Sequence, residues 1–146
     1  MKRAIILFSL LALTACVPPV LMPPPPPPGP PAAIPAPGAR VFTVYFGWNR
    51  SQIGASGMAV LQQVAAVYSA GGVASVRVTG HTDTSGSVRY NQRLSDRRAR
   101  NVAEALIRMG VSPQAIAVGG VGENDLAVPT ADGVREPHNR RVTVVE

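Results

Sequence analysis

Gly80-His81-Thr82-Asp83-Thr84-Ser85-Gly86 lies between a valine-rich run, Val73 to Thr79, and a longer stretch, Ser87 to Met109. The run before it has β-branched residues in alternation, which predicts a strand. The heptapeptide, with its glycines, Asp83 and hydroxyl residues, predicts a turn-forming loop. The stretch after it has apolar residues at helical spacing and stops at Gly110, so it predicts a long helix. A strand whose carboxyl end runs through a short loop into a helix N-terminus is the place where α/β sheets bind ligands.

Working outward, Val41 to Phe46 reads as a first strand. Ser51 to Ala70 carries Ile53, Met58, Leu61, Val64, Ala65 and Tyr68 at helical spacing and is stopped by Gly71-Gly72. Past the long helix, Ser112-Pro113-Gln114 opens a short turn and Ile116-Ala117-Val118 starts a third strand. Glu123 to Asn139 is a polar loop, and Arg140 to Val145 is the last strand. The order is βαβαβ–loop–β, an α/β sandwich with helices laid on a sheet.

The long helix contains an anomaly. Leu94, Val102, Ala105, Leu106 and Met109 make one apolar arc, and Arg93, Arg97, Arg100, Glu104 and Arg108 occupy the opposite, solvated face. Asp96/Arg100 and Arg100/Glu104/Arg108 stand at ion-pair spacing there. Arg98 does not join them: it falls inside the apolar arc, one turn from both Leu94 and Val102. A guanidinium so placed must be paired or face a polar cavity, because burying it alone is prohibitive. It can be a structural ion pair, a snorkelling side chain, or an anion-binding group in a pocket at the sheet edge. Asp83, in the loop leading into the same helix, is an available negative partner. Together Asp83 and Arg98 would suit a zwitterion, with its ammonium on the aspartate and its carboxylate on the arginine.

The chain of 146 residues begins differently. Met1-Lys2-Arg3 precedes the apolar run Ala4 to Leu13, about half the roughly 20 residues needed to cross a hydrocarbon core, which reads as a signal-peptide segment. Leu13-Thr14-Ala15-Cys16 then resembles the bacterial lipoprotein signal, whose cysteine becomes the lipid-modified first residue; an ordinary secretory signal with a chance cysteine is the rival. Twelve of the 15 prolines fall between Pro18 and Pro37, a stretch without charge. It favours polyproline II and a semi-rigid spacer, about 65 Å long at most; docking into an SH3-like groove is the alternative. The expected organisation is therefore a signal peptide over 1–15, a lipidated Cys16 plus Pro-rich linker over 16–39, and one domain over 40–146.

Several spaced motifs in that domain resemble the OmpA-like peptidoglycan-binding domain. They are Gly80-His81-Thr82-Asp83, then Asn91-Gln92-Arg93-Leu94-Ser95-Asp96-Arg97-Arg98-Ala99 with Val102 and Leu106, then Gly119, Gly122-Glu123 and Pro129, and finally Asn139-Arg140-Arg141-Val142. Phe46, Asn49, Ser51 and Ile53 fit the family's first strand and its exit. With the lipid signal, the whole is similar to the peptidoglycan-associated lipoproteins. The resemblance implies a mixed sheet with two helices on one face. It also implies a noncatalytic grip on the diaminopimelate of the peptidoglycan stem peptide, with Asp83 on its ammonium and Arg98 on its carboxylate. Asn49 would be a polar pocket residue, and Tyr90 and Asn91 would stand at the start of the binding helix. Val17, where retained inner-membrane lipoproteins commonly carry Asp, implies an outer-membrane anchor with the domain in the periplasm. Further partners implied are Tol–Pal-like or secretion-system envelope proteins, the chain then serving as an adaptor of a larger machine. Gly47 departs from the family, which commonly has an acidic residue there. Trp48 is expected to pack on the first helix rather than line the pocket mouth, and Arg140 and Arg141 to hold the long loop against the sheet.

Other classes are excluded or disfavoured. After removal of 1–39 about 107 residues remain, enough for one modest core. A single cysteine cannot make a disulfide scaffold, and two histidines with it cannot supply a zinc site. Asp83-Thr84-Ser85-Gly86 lacks the second carboxylate of an aspartic protease. Gly120-Val121-Gly122 lacks the third glycine of a dinucleotide loop, and no Gly-x-Ser-x-Gly elbow occurs. No enzyme, cofactor or metal is expected. The formal charge of +6, reduced to +4 once Lys2 and Arg3 leave, raises nucleic-acid binding, but an exported chain without a stacking platform fits anionic envelope material better.

Overall fold

The computed structural model describes residues 39–71 and 73–146. The leader, Cys16 and nearly all of the Pro-rich linker lie outside the described residues. In chain order the elements are β1 (Val41–Tyr45), α1 (Ala55–Ser69), β2 (Val76–Gly80), α2 (Val88–Arg108), β3 (Ile116–Gly120) and β4 (Arg141–Val145), with 3-10 turns at Pro113–Ala115 and Pro137–Asn139. The sheet order is β1-β4-β2-β3. β4 is antiparallel to both its neighbours, and β2 and β3 run parallel, with Val76 opposite Ile116. The sheet is mixed, as expected.

Alternation along the strands explains the two layers. Val44, Val76, Val78, Val142 and Val144 are buried and join Leu61, Val64, Val102 and Leu106 of the two helices in one core. Arg77 is exposed and Thr43, Thr79 and Thr143 are half-buried on the other face. Both helices therefore lie on one side of the sheet. α2 sits very close to β2 and β3. A Cβ at Gly80 would come within 2.1 Å of the Ser95 carbonyl oxygen, and one at Gly120 within 2.3 Å of Ser95 Oγ. Only glycine permits that approach, and the approach brings the start of α2 beside the exit of β2.

Boundaries differ from the sequence expectation where tertiary contacts intervene. α1 begins at Ala55 rather than Ser51 because the preceding backbone is claimed by α2. Arg98 Nε donates to the Arg50 carbonyl at 2.8 Å and Asn101 Nδ2 to that of Ser51 at 2.7 Å, holding this segment out of helical geometry. β2 begins at Val76 rather than Val73, where its ladder with β3 starts. α2 matches closely, with Ser87 as its N-cap accepting from the Tyr90 N–H.

Candidate functional site

Three segments meet at one end of the sheet: the exit of β1 (Phe46 to Asn49), the loop after β2 (His81 to Gly86) and the first turns of α2. Between them lies an open cavity of about 380 Å³, lined among others by Asp83, Arg98, Asn49, Tyr90 and Asn91. The structure thus brings all five sequence-predicted binding residues to one cavity.

Arg98 is fully buried, so it does not snorkel. Among the described residues it is also not directly ion-paired. Its guanidinium is held by backbone: Nε on the Arg50 carbonyl, Nη1 on that of His81 at 2.9 Å and Nη2 on that of Gly47 at 3.1 Å. Its carbon centre lies 5.2 Å from the Phe46 ring, within cation–π range. Five N–H donors less three contacts leaves two without an acceptor among the described residues, one on each terminal nitrogen. Burial lowers its pKa to about 10, a shift that the Asp83 charge opposes, so it stays cationic at neutral pH.

Asp83 is buried too. Its Oδ1 accepts from Ser85 Oγ at 2.6 Å and from the Ser85 N–H at 3.3 Å, and its Oδ2 pairs with Arg140 Nη1 at 3.1 Å. An ionised carboxylate has about four acceptor positions, so Asp83 retains room for one more donor. Arg140 corrects the sequence expectation. It pairs with Asp83, donates to the Phe46 carbonyl at 3.1 Å and forms a wall of the cavity, rather than clamping the loop. Arg141 does hold that loop, donating to the Asp125 carbonyl at 3.3 Å and its carboxylate at 3.4 Å.

Asn49 adopts a left-handed backbone, φ 54°, and its side-chain oxygen accepts from the Tyr90 hydroxyl. That bond ties the β1 exit to α2 across the mouth. Asn91 is buried and its amide donates to the Asp83 carbonyl and to Glu123, so it sets the shape of the Asp83 loop rather than offering a free donor. Trp48 corrects the expectation of packing on α1. It is 50% exposed, donates from Nε1 to Ser85 Oγ at 3.3 Å and lines the mouth. Gly133 and Arg135 of the long loop complete that mouth. Sequence reasoning missed them, because the polar loop has no periodicity to say where it returns. Thr84 brings it back, donating from Oγ1 to the Ala131 carbonyl at 2.7 Å while its own carbonyl accepts from the Gly133 N–H at 3.0 Å.

Fold and site define a two-layer α/β domain with a mixed-charge pocket where an inner strand feeds a helix. The family model described as OmpA family matches residues 45–140. An outer membrane protein of Gluconacetobacter diazotrophicus is 40% identical over 113 residues, 73% of this chain and 30% of that protein. The outer-membrane lipoprotein YfiB of Pseudomonas aeruginosa is 34% identical over 105 residues, 70% of this chain and 61% of the relative. The crystal structure of the peptidoglycan-associated lipoprotein from Burkholderia pseudomallei matches with a TM-score of 0.66 at 26% identity, over 72% of this chain and 90% of that one. The chain belongs to the OmpA family.

Proposed function

We propose that this chain is a noncatalytic, lipid-anchored envelope protein that binds peptidoglycan and so tethers the outer membrane to the cell wall. The bound group is the free amino-acid end of diaminopimelate. Its carboxylate takes the two remaining Arg98 N–H groups, and its ammonium takes the remaining acceptor position on Asp83. One observation carries the reading: a buried guanidinium with two unspent donors and a buried carboxylate with an unspent acceptor position line the same open cavity. Placing charge-assisted bonds in a preformed site favours a zwitterion over a singly charged ligand. Names of relatives agree in kind, being those of outer membrane proteins and lipoproteins.

The test is co-sedimentation of the detergent-solubilised chain with purified sacculi. Asp83→Asn and Arg98→Lys preserve size and, for the lysine, charge, while removing the paired geometry. Both are expected to leave the pellet; sedimentation equal to wild type in both, with folding verified by circular dichroism, would remove the clamp. The anchor is tested separately. Cys16→Ser is expected to shift the chain out of the outer-membrane fraction, and unchanged fractionation would refute lipidation.

A further inference from the structure

Arg135 is the unexplained cation of the pocket. It is exposed, lines the cavity and makes no hydrogen bond or ion pair among the described residues. It is nevertheless held in place: its guanidinium carbon lies 3.8 Å from the centre of the Trp48 ring, a close cation–π stack. The indole is in turn fixed through its N–H to Ser85 Oγ, and that hydroxyl donates to Asp83. The loop carrying Arg135 is tied to the same strand exit by Thr84. Stacking engages the face of a guanidinium and uses none of its five N–H donors, which lie at its edge, and Arg135 lines the cavity.

Charge points the same way. Three guanidiniums line the cavity, those of Arg98, Arg135 and Arg140, against the single carboxylate of Asp83. Arg140 and Asp83 are already paired at 3.1 Å, which leaves two cations. One amino-acid zwitterion is neutral overall: its carboxylate meets Arg98 and its ammonium shares Asp83 with Arg140, so the excess positive charge remains. Arg135 is left wanting a second carboxylate.

We infer that Trp48 and Arg135 form a second subsite for a carboxylate outside the amino-acid group held on the pocket floor, so that the protein discriminates free from amidated carboxylates on its ligand. The inference rests on the stem-peptide reading above. Two neighbouring carboxylates can supply this chemistry, that of the stem-peptide glutamate and that of the peptide C-terminus.

The experiment is calorimetric titration of the full chain in detergent with synthetic stem peptides containing diaminopimelate. In one arm the glutamate carboxylate is free or amidated; in the other the C-terminal carboxylate is free or amidated. Wild type is expected to prefer the free form by about tenfold in one arm, the scale of one charge-assisted hydrogen-bond pair. Arg135→Gln and Trp48→Ala should each abolish that preference, and the responding arm identifies the carboxylate. Equal affinity of wild type for both forms in both arms, or an Arg135→Gln loss that is the same for free and amidated peptides, overturns the subsite while leaving the clamp standing. Failure of wild type to bind any of the four peptides overturns the clamp and the subsite together.

Discussion

Two ionic clusters share His81 and lie on opposite faces of the sheet, one buried and one partly solvated at its aspartate. On the helix face, Arg98 takes the His81 carbonyl as one of three backbone acceptors and keeps two donors that no group among the described residues uses. On the other face, the His81 ring meets the Asp125 carbonyl and carboxylate through Nδ1 at 3.2 and 3.3 Å, and Thr143 Oγ1 through Nε2 at 3.3 Å. Arg141 closes this second cluster on the same aspartate. A neutral imidazole protonated at Nδ1 satisfies both ring contacts, and burial together with Arg141 lowers the His81 pKa to about 4 against the pull of Asp125. The difference is in what is left over. The His81–Asp125–Arg141 cluster spends its groups on one loop residue and acts as a clip. The Arg98–Asp83 cluster keeps capacity and opens on a cavity. Buried charge alone does not mark a binding site; what sets Arg98 and Asp83 apart is that both line one open cavity.

The comparison can be broken most directly at Arg98. Arg98→Ala orphans three carbonyls that hold the β1 exit and the His81 backbone, and should cost about 3–5 kcal/mol in urea unfolding. A loss below about 1 kcal/mol would mean that the crossing of 47–50 over α2 is held by other contacts.

The clip is probed next by acid. The folded-state pKa of His81 lies below its unfolded value of 6.5, so the unfolded chain binds the proton more readily. Its stabilising contribution is complete above pH 6.5 and is lost as pH falls from there towards 4, on the order of 3 kcal/mol in all. His81→Gln should flatten that window in thermal melts across pH; an unchanged slope would place the acid sensitivity elsewhere.

A smaller effect separates the two clusters. Asp125→Ala should cost about 1 kcal/mol, since its carboxylate is partly solvated, and should leave sacculus binding intact. Weakened binding would show that clip and pocket are one unit. Least of all, Trp48→Ala should change stability by no more than about 0.5 kcal/mol, because the indole is half in water; a larger loss in urea unfolding would make it a packing residue after all.

Much of this is legible in the sequence. The alternation of Val76, Val78, Val142 and Val144, the helical arc of α2 and the misfit of Arg98 within it all follow from local periodicity. The OmpA-like motifs placed Asp83, Asn49, Tyr90 and Asn91 around the same misfit. Less is legible for α1: helical spacing runs back to Ser51, and nothing near that residue reveals that its carbonyl is an acceptor for Asn101 and that the helix starts at Ala55. The roles of Arg140, Trp48 and Arg135 were hidden for a similar reason. Arg140 differs from Arg141 only in parity along a strand end, and Arg135 sits in a loop whose path is set by Thr84, some 50 residues upstream.

By itself, then, the sequence determined the order of strands and helices, the single core and the cation buried on α2, because these depend on periods of two and 3.6 residues carried within each segment. Tertiary structure alone decided which groups Arg98 spends its donors on, which arginine neutralises Asp83 and which stacks over Trp48. Those are contacts between segments tens of residues apart, fixed by the close seating of α2 on Gly80 and Gly120 and by the return of the long loop, and no local period encodes them.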